Sequence, residues 1–383
     1  MRIFKDDIIL SEKQEEVLSS APNSIIIGSA GTGKTLLAAK LAIKLHKENK
    51  SVCLIVYTKS LSSFIEGYLK DYPIKVFYEF EWFYKRYDSN FDVIIIDEFQ
   101  DFSLKSIKEI SLKSNNGIYL LGDLEQKLFD VDLYNNARTI NEESLESLIQ
   151  DNFKLIELKE NFRIPKEKVE IVNLIFNEVN NSSNQINKTT TEGKHKLILN
   201  MIELVHLKKS IISNNIESEK TIVKNFKTEE SESEWIVDFI KNSNYENIGI
   251  LFPTNSAQIP ILSKKLSENG IINGYKDKYN NTLSFRNPTN VNLITIHSSK
   301  GLEFDCVILP FLSSHNLIDK YQYLNQTNNL FYVAITRTKN QLVITYTDQA
   351  FEMLLKLKGF SKEFEIKEDT DNPIIFNDEA FNP

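Results

Sequence analysis

The chain has 383 residues, of which 41% are apolar and 26% are charged, and its net charge at pH 7 is -8. This composition is ordinary for a globular protein, and the length suffices for two domains that each bury a core. The negative balance counts against a protein held to nucleic acid by its global charge, although a local basic groove stays compatible with it.

The composition also bears on location and on metal binding. The first residues carry Asp6 and Asp7 and lack an apolar signal core, and no apolar run approaches the roughly 18 residues of a membrane span. Cys53 and Cys306 each lie in a β-branched apolar run, which predicts buried, reduced thiols. The scattered histidines give no spacing of metal ligands. We therefore predict a cytoplasmic protein without a membrane anchor.

Strand-like apolar runs alternate with helical patterns along the chain, which is typical of βαβ units and a parallel sheet. In the first half, strands are predicted at 24–27, 52–57, 93–96 and 118–121, with a helix at 34–47. In the second half, strands are predicted at 248–252, 292–296, 306–309 and 342–346, with a helix at 258–269. The sequence thus predicts an α/β fold.

The pattern changes near residue 160, where Pro165 suits the first turn of a new helix. We predict a first domain over residues 1–155 and a second over 156–361. The acidic segment 362–383 is interpreted as a flexible tail, with docking of a partner as the alternative.

The clearest motif is a phosphate-binding loop. Residues 28–35 fit the pattern G-x-x-x-x-G-K-[ST], follow a predicted strand and begin a predicted helix. Its glycines let backbone N–H groups face phosphates, and the helix N-terminus adds its positive dipole end. The predicted nucleotide contacts are Gly28, Ala30, Gly31, Thr32, Gly33, Lys34 and Thr35. Lys34 would place its charge near the β- and γ-phosphates, and the Thr35 hydroxyl would bind Mg²⁺. A glycine loop without a ligand is the alternative.

Two carboxylates, Asp97 and Glu98, follow the predicted strand at 93–96. Asp97 is predicted to hold Mg²⁺ through water, and Glu98 to accept a proton from the attacking water. An isolated acidic pair is more often a solvated loop, but its combination with the phosphate-binding loop favours a site for ATP and Mg²⁺.

Residues 97–101 resemble the DExQD box of the UvrD/Rep-like helicases of superfamily 1, and the similarity continues in order along nearly the whole chain. Other blocks resemble the Q motif, the first nucleic-acid-contacting motif, GDxxQ, N-[FY]-R, TxHxxKGLEF and YVAxTR, at 10–14, 57–61, 122–126, 161–163, 295–304 and 332–337. The resemblance implies two tandem RecA-like domains with parallel sheets and ATP in the cleft between them. It also implies a translocase or helicase that moves 3′ to 5′ on single-stranded DNA, with RNA as the alternative strand.

The same resemblance implies roles around the nucleotide. Gln14 would grip the adenine edge, Phe162 would stack on the base, and Glu303 would accept a hydrogen bond from the ribose. Arg163 and Arg337 would reach the γ-phosphate as arginine fingers.

Gln126 would sense the γ-phosphate or orient the attacking water. Because Arg337 lies on the second domain, ATP binding would close the cleft and hydrolysis would open it.

Nucleic-acid contacts are implied at Tyr57, Thr58, Thr295 and His297. Phe129 is the candidate replacement for one aromatic stacker of the family. The aromatic cluster Tyr78, Phe80, Trp82 and Phe83 is interpreted either as core or as a further contact.

The sequence departs from the family after Gln126, where Val131 and Asp132 occupy the places of a Trp and an Arg. The short spacing between motifs leaves little room for the family's large insertions, so translocation is expected rather than strong unwinding. An ATP-gated accessory subunit that regulates a partner such as a nuclease, in DNA repair or phage defence, is the alternative function. A metabolic P-loop kinase would leave the blocks at 295–304 and 332–337 unexplained.

Overall fold

The structure is a computed structural model. It describes residues 9–84, 90–128, 131–132, 137–177, 212–213, 218–254, 256–277, 282–283, 291–313, 324–347 and 354. Phe129 and the segment 362–383 lie outside the described residues, so the interpretations of both stay predictions.

The first unit is built around a six-stranded parallel sheet with the strand order β3-β2-β4-β5-β1-β8. Its strands are β1 Ser24–Gly28, β2 Val52–Val56, β3 Lys75–Tyr78, β4 Val93–Asp97, β5 Ile118–Gly122 and β8 Lys154–Leu158. The short strands β6 Val131–Asp132 and β7 Ala137–Arg138 form an antiparallel pair before β8. The helices of this half are α1 Glu12–Ser19, α2 Lys34–Lys47, α3 Lys59–Tyr68, α4 Glu79–Tyr84, α5 Leu104–Ser111 and α6 Glu142–Gln150.

The second unit repeats this architecture with a six-stranded parallel sheet in the order β11-β16-β15-β12-β14-β13. Its strands are β11 Ile222–Phe226, β12 Ile248–Phe252, β13 Asn273–Tyr275, β14 Val291–Thr295, β15 Phe304–Leu309 and β16 Thr338–Thr347. Its helices are α8 Glu229–Asn242, α9 Gln258–Glu268 and α10 Leu324–Ile335. Between the two units lie β9 Glu160–Asn161, α7 Lys166–Asn177 and β10 Ile212–Ser213.

Both sheets are buried on both faces, which explains the continuous apolar runs in their central strands. In β1, Ile26 packs into one core cluster while Ile25 and Ile27 pack into another on the opposite face. In β12, Leu251 faces one cluster and Ile250 faces the other. Each such side chain contributes about 2 kcal/mol relative to an exposed one. The predicted α/β fold with two parallel sheets is confirmed.

The predicted boundary after residue 155 falls within β8, which pairs with β1 along its whole length. Residues of α7 instead share a core cluster with the second sheet. The limit predicted at residue 155 thus lies inside a strand of the first sheet. The domain limits themselves stay a prediction.

Both cysteines lie inside the cores of the two units. Cys53 and Cys306 are buried free thiols, as their apolar surroundings predicted, and burial raises the pKa of both. In the described part of the chain, none of the helices combines the length and the apolar character that a membrane crossing requires.

Candidate nucleotide-binding cleft

The phosphate-binding loop follows β1 at the carboxyl end of the first sheet. Gly31 and Gly33 have φ values of +84° and +83°, where side chains with a Cβ are strained. A Cβ on Gly31 would also lie 2.0 Å from Oδ1 of Asn161. The loop is therefore held against the turn that carries the Asn-Phe-Arg block, and this close packing requires glycine.

Lys34 is buried at the start of α2. Its Nζ donates hydrogen bonds to the carbonyl oxygens of Gly28, at 2.7 Å, and Ser29, at 2.9 Å. Burial lowers the pKa of Lys34, and the nearby carboxylate of Asp123 opposes that shift. The loop thus positions one cation among its own backbone groups, which is the geometry required for a phosphate contact.

Asp97 ends β4, and Glu98 follows in the left-handed region with φ +59°. Burial, followed by the charge of Glu98, raises the pKa of Asp97 to about 7, while a hydrogen bond from Thr35 opposes the rise. Oδ2 of Asp97 is buried and has no hydrogen-bond partner among the described residues. An orphaned carboxylate oxygen beside a threonine hydroxyl fits Mg²⁺, which prefers oxygen ligands.

The described residues offer no larger set of metal ligands. Among the described residues, no three His, Cys, Asp or Glu side chains converge as a metal site. An ion held by Asp97 and Thr35 would therefore complete its shell with phosphate oxygens and water, as Mg²⁺ commonly does.

Glu98 is held by both units. Nε2 of Gln100 donates to its Oε2 at 2.5 Å, and Nζ of Lys300, from the second unit, lies 3.7 Å from the same oxygen. Burial alone would raise the pKa of Glu98, but Lys300 and Lys34 outweigh burial and lower it. Glu98 is therefore ionised near neutral pH, the state that a general base requires. Lys300 also forms a buried ion pair with Asp101.

Arg337 reaches the first unit from the end of α10 and is 2% exposed. Its Nη2 donates to Oε1 of Gln126, whose Nε2 donates to Oδ2 of Asp123 at 2.8 Å. The Tyr332 hydroxyl donates to that same oxygen at 3.3 Å and accepts from the Ala30 N–H at 3.2 Å. The predicted residues Gln126 and Arg337 thus lie together, in a buried network that begins at the phosphate-binding loop.

Arg163 lies close enough to Arg337 to influence its ionisation. Burial, and then the charge of Arg163, lowers the pKa of Arg337 to about 10. Arg163 itself forms an ion pair with Glu303, and Nζ of Lys339 lies 3.0 Å from the other oxygen of Glu303. Burial works to raise the pKa of Glu303, yet these cations lower it. The two predicted arginine fingers converge, whereas the predicted ribose contact of Glu303 would have to be shared with two cations.

A cavity of about 480 Å³ adjoins the loop on the side of α1, and Gln14, Thr32 and Phe162 are among its lining residues. Nε2 of Gln14 donates to the Thr32 carbonyl at 3.1 Å, and its Oε1 accepts from the Ser11 N–H at 3.1 Å. Phe162 is 43% exposed, and its backbone N–H donates to the Gly31 carbonyl at 2.9 Å. The structure therefore brings both predicted base contacts to one cavity beside the phosphate loop.

The predicted contacts to nucleic acid in the first unit are less accessible. Tyr57 is 8% exposed, and its ring packs edge-on against Phe102 with 5.5 Å between centroids. Thr58 caps α3, where its hydroxyl accepts from the Leu61 N–H at 3.3 Å. Stacking needs an exposed ring face, so Tyr57 is not placed for stacking on a base in this conformation.

In the second unit, Thr295 is 6% exposed, and its hydroxyl accepts from the Ser298 N–H at 3.2 Å. Burial, with a smaller effect from Lys300, lowers the pKa of His297 to about 4, so the imidazole is neutral near pH 7. A contact from His297 to nucleic acid would therefore be a hydrogen bond rather than an ion pair. The roles of Thr58, Thr295 and His297 at a nucleic-acid strand stay predictions.

The aromatic cluster around α4 divides into two groups. Trp82 and Phe83 are buried in the core, at 6% and 5% exposure. Phe80 and Tyr84 are 53% and 62% exposed and stack with 4.2 Å between ring centroids, and Tyr78 stacks on Phe80 at 6.3 Å. Trp82 and Phe83 thus belong to the core, while a nucleic-acid contact of the exposed stack stays a prediction; that stack includes Tyr84, which the sequence pattern did not indicate.

Asp132, where the family has an arginine, has a structural role. Its Oδ2 accepts from the Ser103 N–H at 2.9 Å and from the hydroxyl of Ser106, at the start of α5. The side chain is completely buried. The departure from the family pattern thus stabilises a helix N-terminus, where a negative charge is favourable.

Several residues of the cleft were not singled out from the sequence, although most lie in the quoted blocks. Asp101, Asp123, Lys300 and Tyr332 form hydrogen bonds or ion pairs across the junction of the two units, and Lys339 pairs with Glu303 within the second unit. The available signal was that four of the five, all but Lys339, lie inside the quoted blocks.

A phosphate-binding loop, a carboxylate pair on a neighbouring strand and two arginines at the junction with a second parallel sheet indicate a P-loop fold with two RecA-like units. The protein-family model of the Schlafen group 3 DNA/RNA helicase domain matches residues 23–309 of this chain. The family model of the UvrD-like helicase C-terminal domain matches residues 275–349. The chain belongs to the Schlafen group 3 helicase-domain family, within the wider class of UvrD-like helicases.

Individual proteins match this chain at low sequence identity or over a short segment. A probable DNA helicase of Mycoplasma pneumoniae is 24% identical over 291 residues, which are 71% of this chain and 47% of that protein. A probable DNA helicase II homolog of Mycoplasma genitalium is 40% identical over 78 residues, which are 18% of this chain and 11% of that protein. The crystal structure of an arterivirus helicase, nonstructural protein 10, is 14% identical and covers 92% of this chain and 65% of that chain, with a TM-score of 0.41. The chain thus spans less than half the length of the two Mycoplasma relatives.

Proposed function

We propose that this protein is an ATP-driven translocase on single-stranded nucleic acid, with DNA as the strand and 3′ to 5′ as the direction. The observation that carries the proposal is the buried network from Ala30 of the phosphate-binding loop to Arg337 of the second unit. A motor has to convert the state of its nucleotide into relative movement of its domains. A network that joins the loop to an arginine of the other domain supplies that connection.

In the proposed ATP site, Lys34 and the loop N–H groups bind the phosphates, and Gln14 and Phe162 bind the base. Asp97 and Thr35 would hold Mg²⁺, which would supply charge neutralisation at the phosphate oxygens when bound. Glu98, kept ionised by Lys300, accepts a proton from the attacking water, which Gln126 orients. Arg337 and Arg163 stabilise the charge that develops on the transferred phosphoryl group.

For the nucleic-acid strand, the exposed stack of Tyr78, Phe80 and Tyr84 is the contact that the geometry supports best. The rings already stack on one another, so a base would add at the end of the stack, without sequence preference and at about 1–3 kcal/mol per base. Such a contact does not need a high positive charge, so it agrees with the net charge of -8.

The helicase matches favour this motor over an ATP-gated accessory subunit. A partner nuclease, a role in DNA repair or antiviral defence, and a cytoplasmic location stay predictions.

Motion is tested by displacement of streptavidin from a biotinylated single-stranded oligonucleotide. A motor that moves 3′ to 5′ is expected to speed release from a 5′ biotin in the presence of ATP and Mg²⁺, and not from a 3′ biotin. Lys34→Ala serves as the blank. Release from the 3′ biotin alone would reverse the proposed direction, and ATP-independent release at both ends would contradict a translocase.

A further inference from the structure

The Tyr332 hydroxyl contacts the phosphate-binding loop from the second unit by a direct hydrogen bond. Its ring belongs to the core of the second unit and is 1% exposed. Its hydroxyl accepts from the Ala30 N–H at 3.2 Å and donates to Oδ2 of Asp123 at 3.3 Å. A phenolic oxygen therefore bonds a backbone donor of the loop, and such donors are the groups with which P-loops bind phosphate oxygens.

The other end of this contact leads to the arginine. Oδ2 of Asp123 also accepts from Nε2 of Gln126 at 2.8 Å, and Oε1 of Gln126 accepts from Arg337. All of these side chains are at most 2% exposed. Because these side chains are shielded from solvent, water does not replace a lost hydrogen bond. The loss of a hydrogen bond at one end of the network therefore shifts the partners along it.

We propose that the Tyr332 hydroxyl is a phosphate surrogate: it occupies the Ala30 N–H until a phosphate oxygen of ATP takes that donor. The displaced hydroxyl then changes the hydrogen bonding of Asp123, and through Gln126 the position of Arg337. Tyr332 is thus a positioning residue that acts through Asp123. The inference rests on the proposed function in that ATP is the nucleotide of the site.

Removal of the hydroxyl should have opposite effects on binding and turnover. Tyr332→Phe keeps the ring in the core and removes a competitor for the Ala30 N–H, so ATP should bind about two- to tenfold more tightly. Turnover should fall about fivefold or more, because Asp123 loses a donor that orients it toward Gln126. A residue that merely stabilised the fold would not tighten binding while slowing turnover.

The experiment is a titration of the wild type and variants with a fluorescent ATP analogue and Mg²⁺, followed by steady-state hydrolysis. Tyr119→Phe is the matched control. Tyr119 is 1% exposed, and its hydroxyl donates to the Ser20 carbonyl at 2.6 Å. It pairs with Ser24, at the opposite end of β1 from the loop. This control should leave both quantities at wild-type values.

Unchanged or weaker binding of the ATP analogue by Tyr332→Phe would overturn the proposal that the Tyr332 hydroxyl is a phosphate surrogate. An equal change in the affinity of Tyr119→Phe would overturn it as well. A wild type that binds the analogue but does not hydrolyse ATP would refute the proposed motor, while the binding comparison would still decide the role of Tyr332. A wild type that binds no nucleotide would refute both.

Discussion

Lys34→Ala is expected to lower ATP hydrolysis by on the order of a hundredfold or more, since it removes a preorganised cation from the phosphates. The side chain is 7% exposed, and its ammonium has a fixed position on the carbonyls of Gly28 and Ser29. A group held in place before the nucleotide binds costs little reorganisation during the reaction, so its loss is felt in full. Hydrolysis is measured at saturating ATP and Mg²⁺.

The matched control for this change is Lys47→Ala. Lys47 is an exposed lysine at the other end of the same helix, α2, and its replacement should leave hydrolysis unchanged. The Lys34 variant loses two hydrogen bonds to loop carbonyls and should remain folded, with a stability loss of about 1–3 kcal/mol. Hydrolysis at the wild-type rate in a folded Lys34→Ala protein would show that the phosphate-binding loop takes no part in the reaction.

Arg337→Ala is expected to lower kcat by on the order of a thousandfold, the effect typical of an arginine finger. The guanidinium is anchored by Nε on the Val333 carbonyl at 3.0 Å, while Nη2 bonds Gln126. This fork directs one nitrogen toward the first unit. Arg337→Lys keeps a charge but not the fork, so it should also lose most of its activity.

Because Arg337 is buried, each variant has to be checked for folding by thermal unfolding. Arg138→Ala removes an exposed arginine of β7 and should change neither kcat nor the melting temperature. Near wild-type kcat in folded Arg337→Ala would show that the second unit contributes no cation to the reaction.

The eight strands predicted from the sequence are the central strands of the two sheets, and the strands not predicted at β3, β8, β11 and β13 are the sheet edges. A central parallel strand is covered on both faces and carries a continuous apolar run, as in β1 and β12. An edge strand is partly solvated, and β11 has one fully buried residue in five. Its mixed composition does not differ enough from that of a loop to be recognised.

The candidate site divides in a similar way. The loop at 28–35 and the pair Asp97 and Glu98 are local patterns, so their chemistry could be predicted from short segments. The contact of Tyr332 with Ala30 joins residues 302 positions apart, and the pairing of Lys300 with Asp101 joins residues 199 apart. No local pattern specifies such pairs, because they depend on how the two units pack. The burial of Tyr57 is likewise a property of tertiary packing.

The most direct test of an ATP-driven motor on a nucleic-acid strand is steady-state ATP hydrolysis with and without single-stranded DNA. The measurement belongs at low salt, since phosphate contacts weaken steeply as salt rises, and Lys34→Ala is its blank. We predict stimulation of about tenfold or more by the DNA and its loss in the variant. Hydrolysis that neither DNA nor RNA changes would contradict a strand-coupled motor.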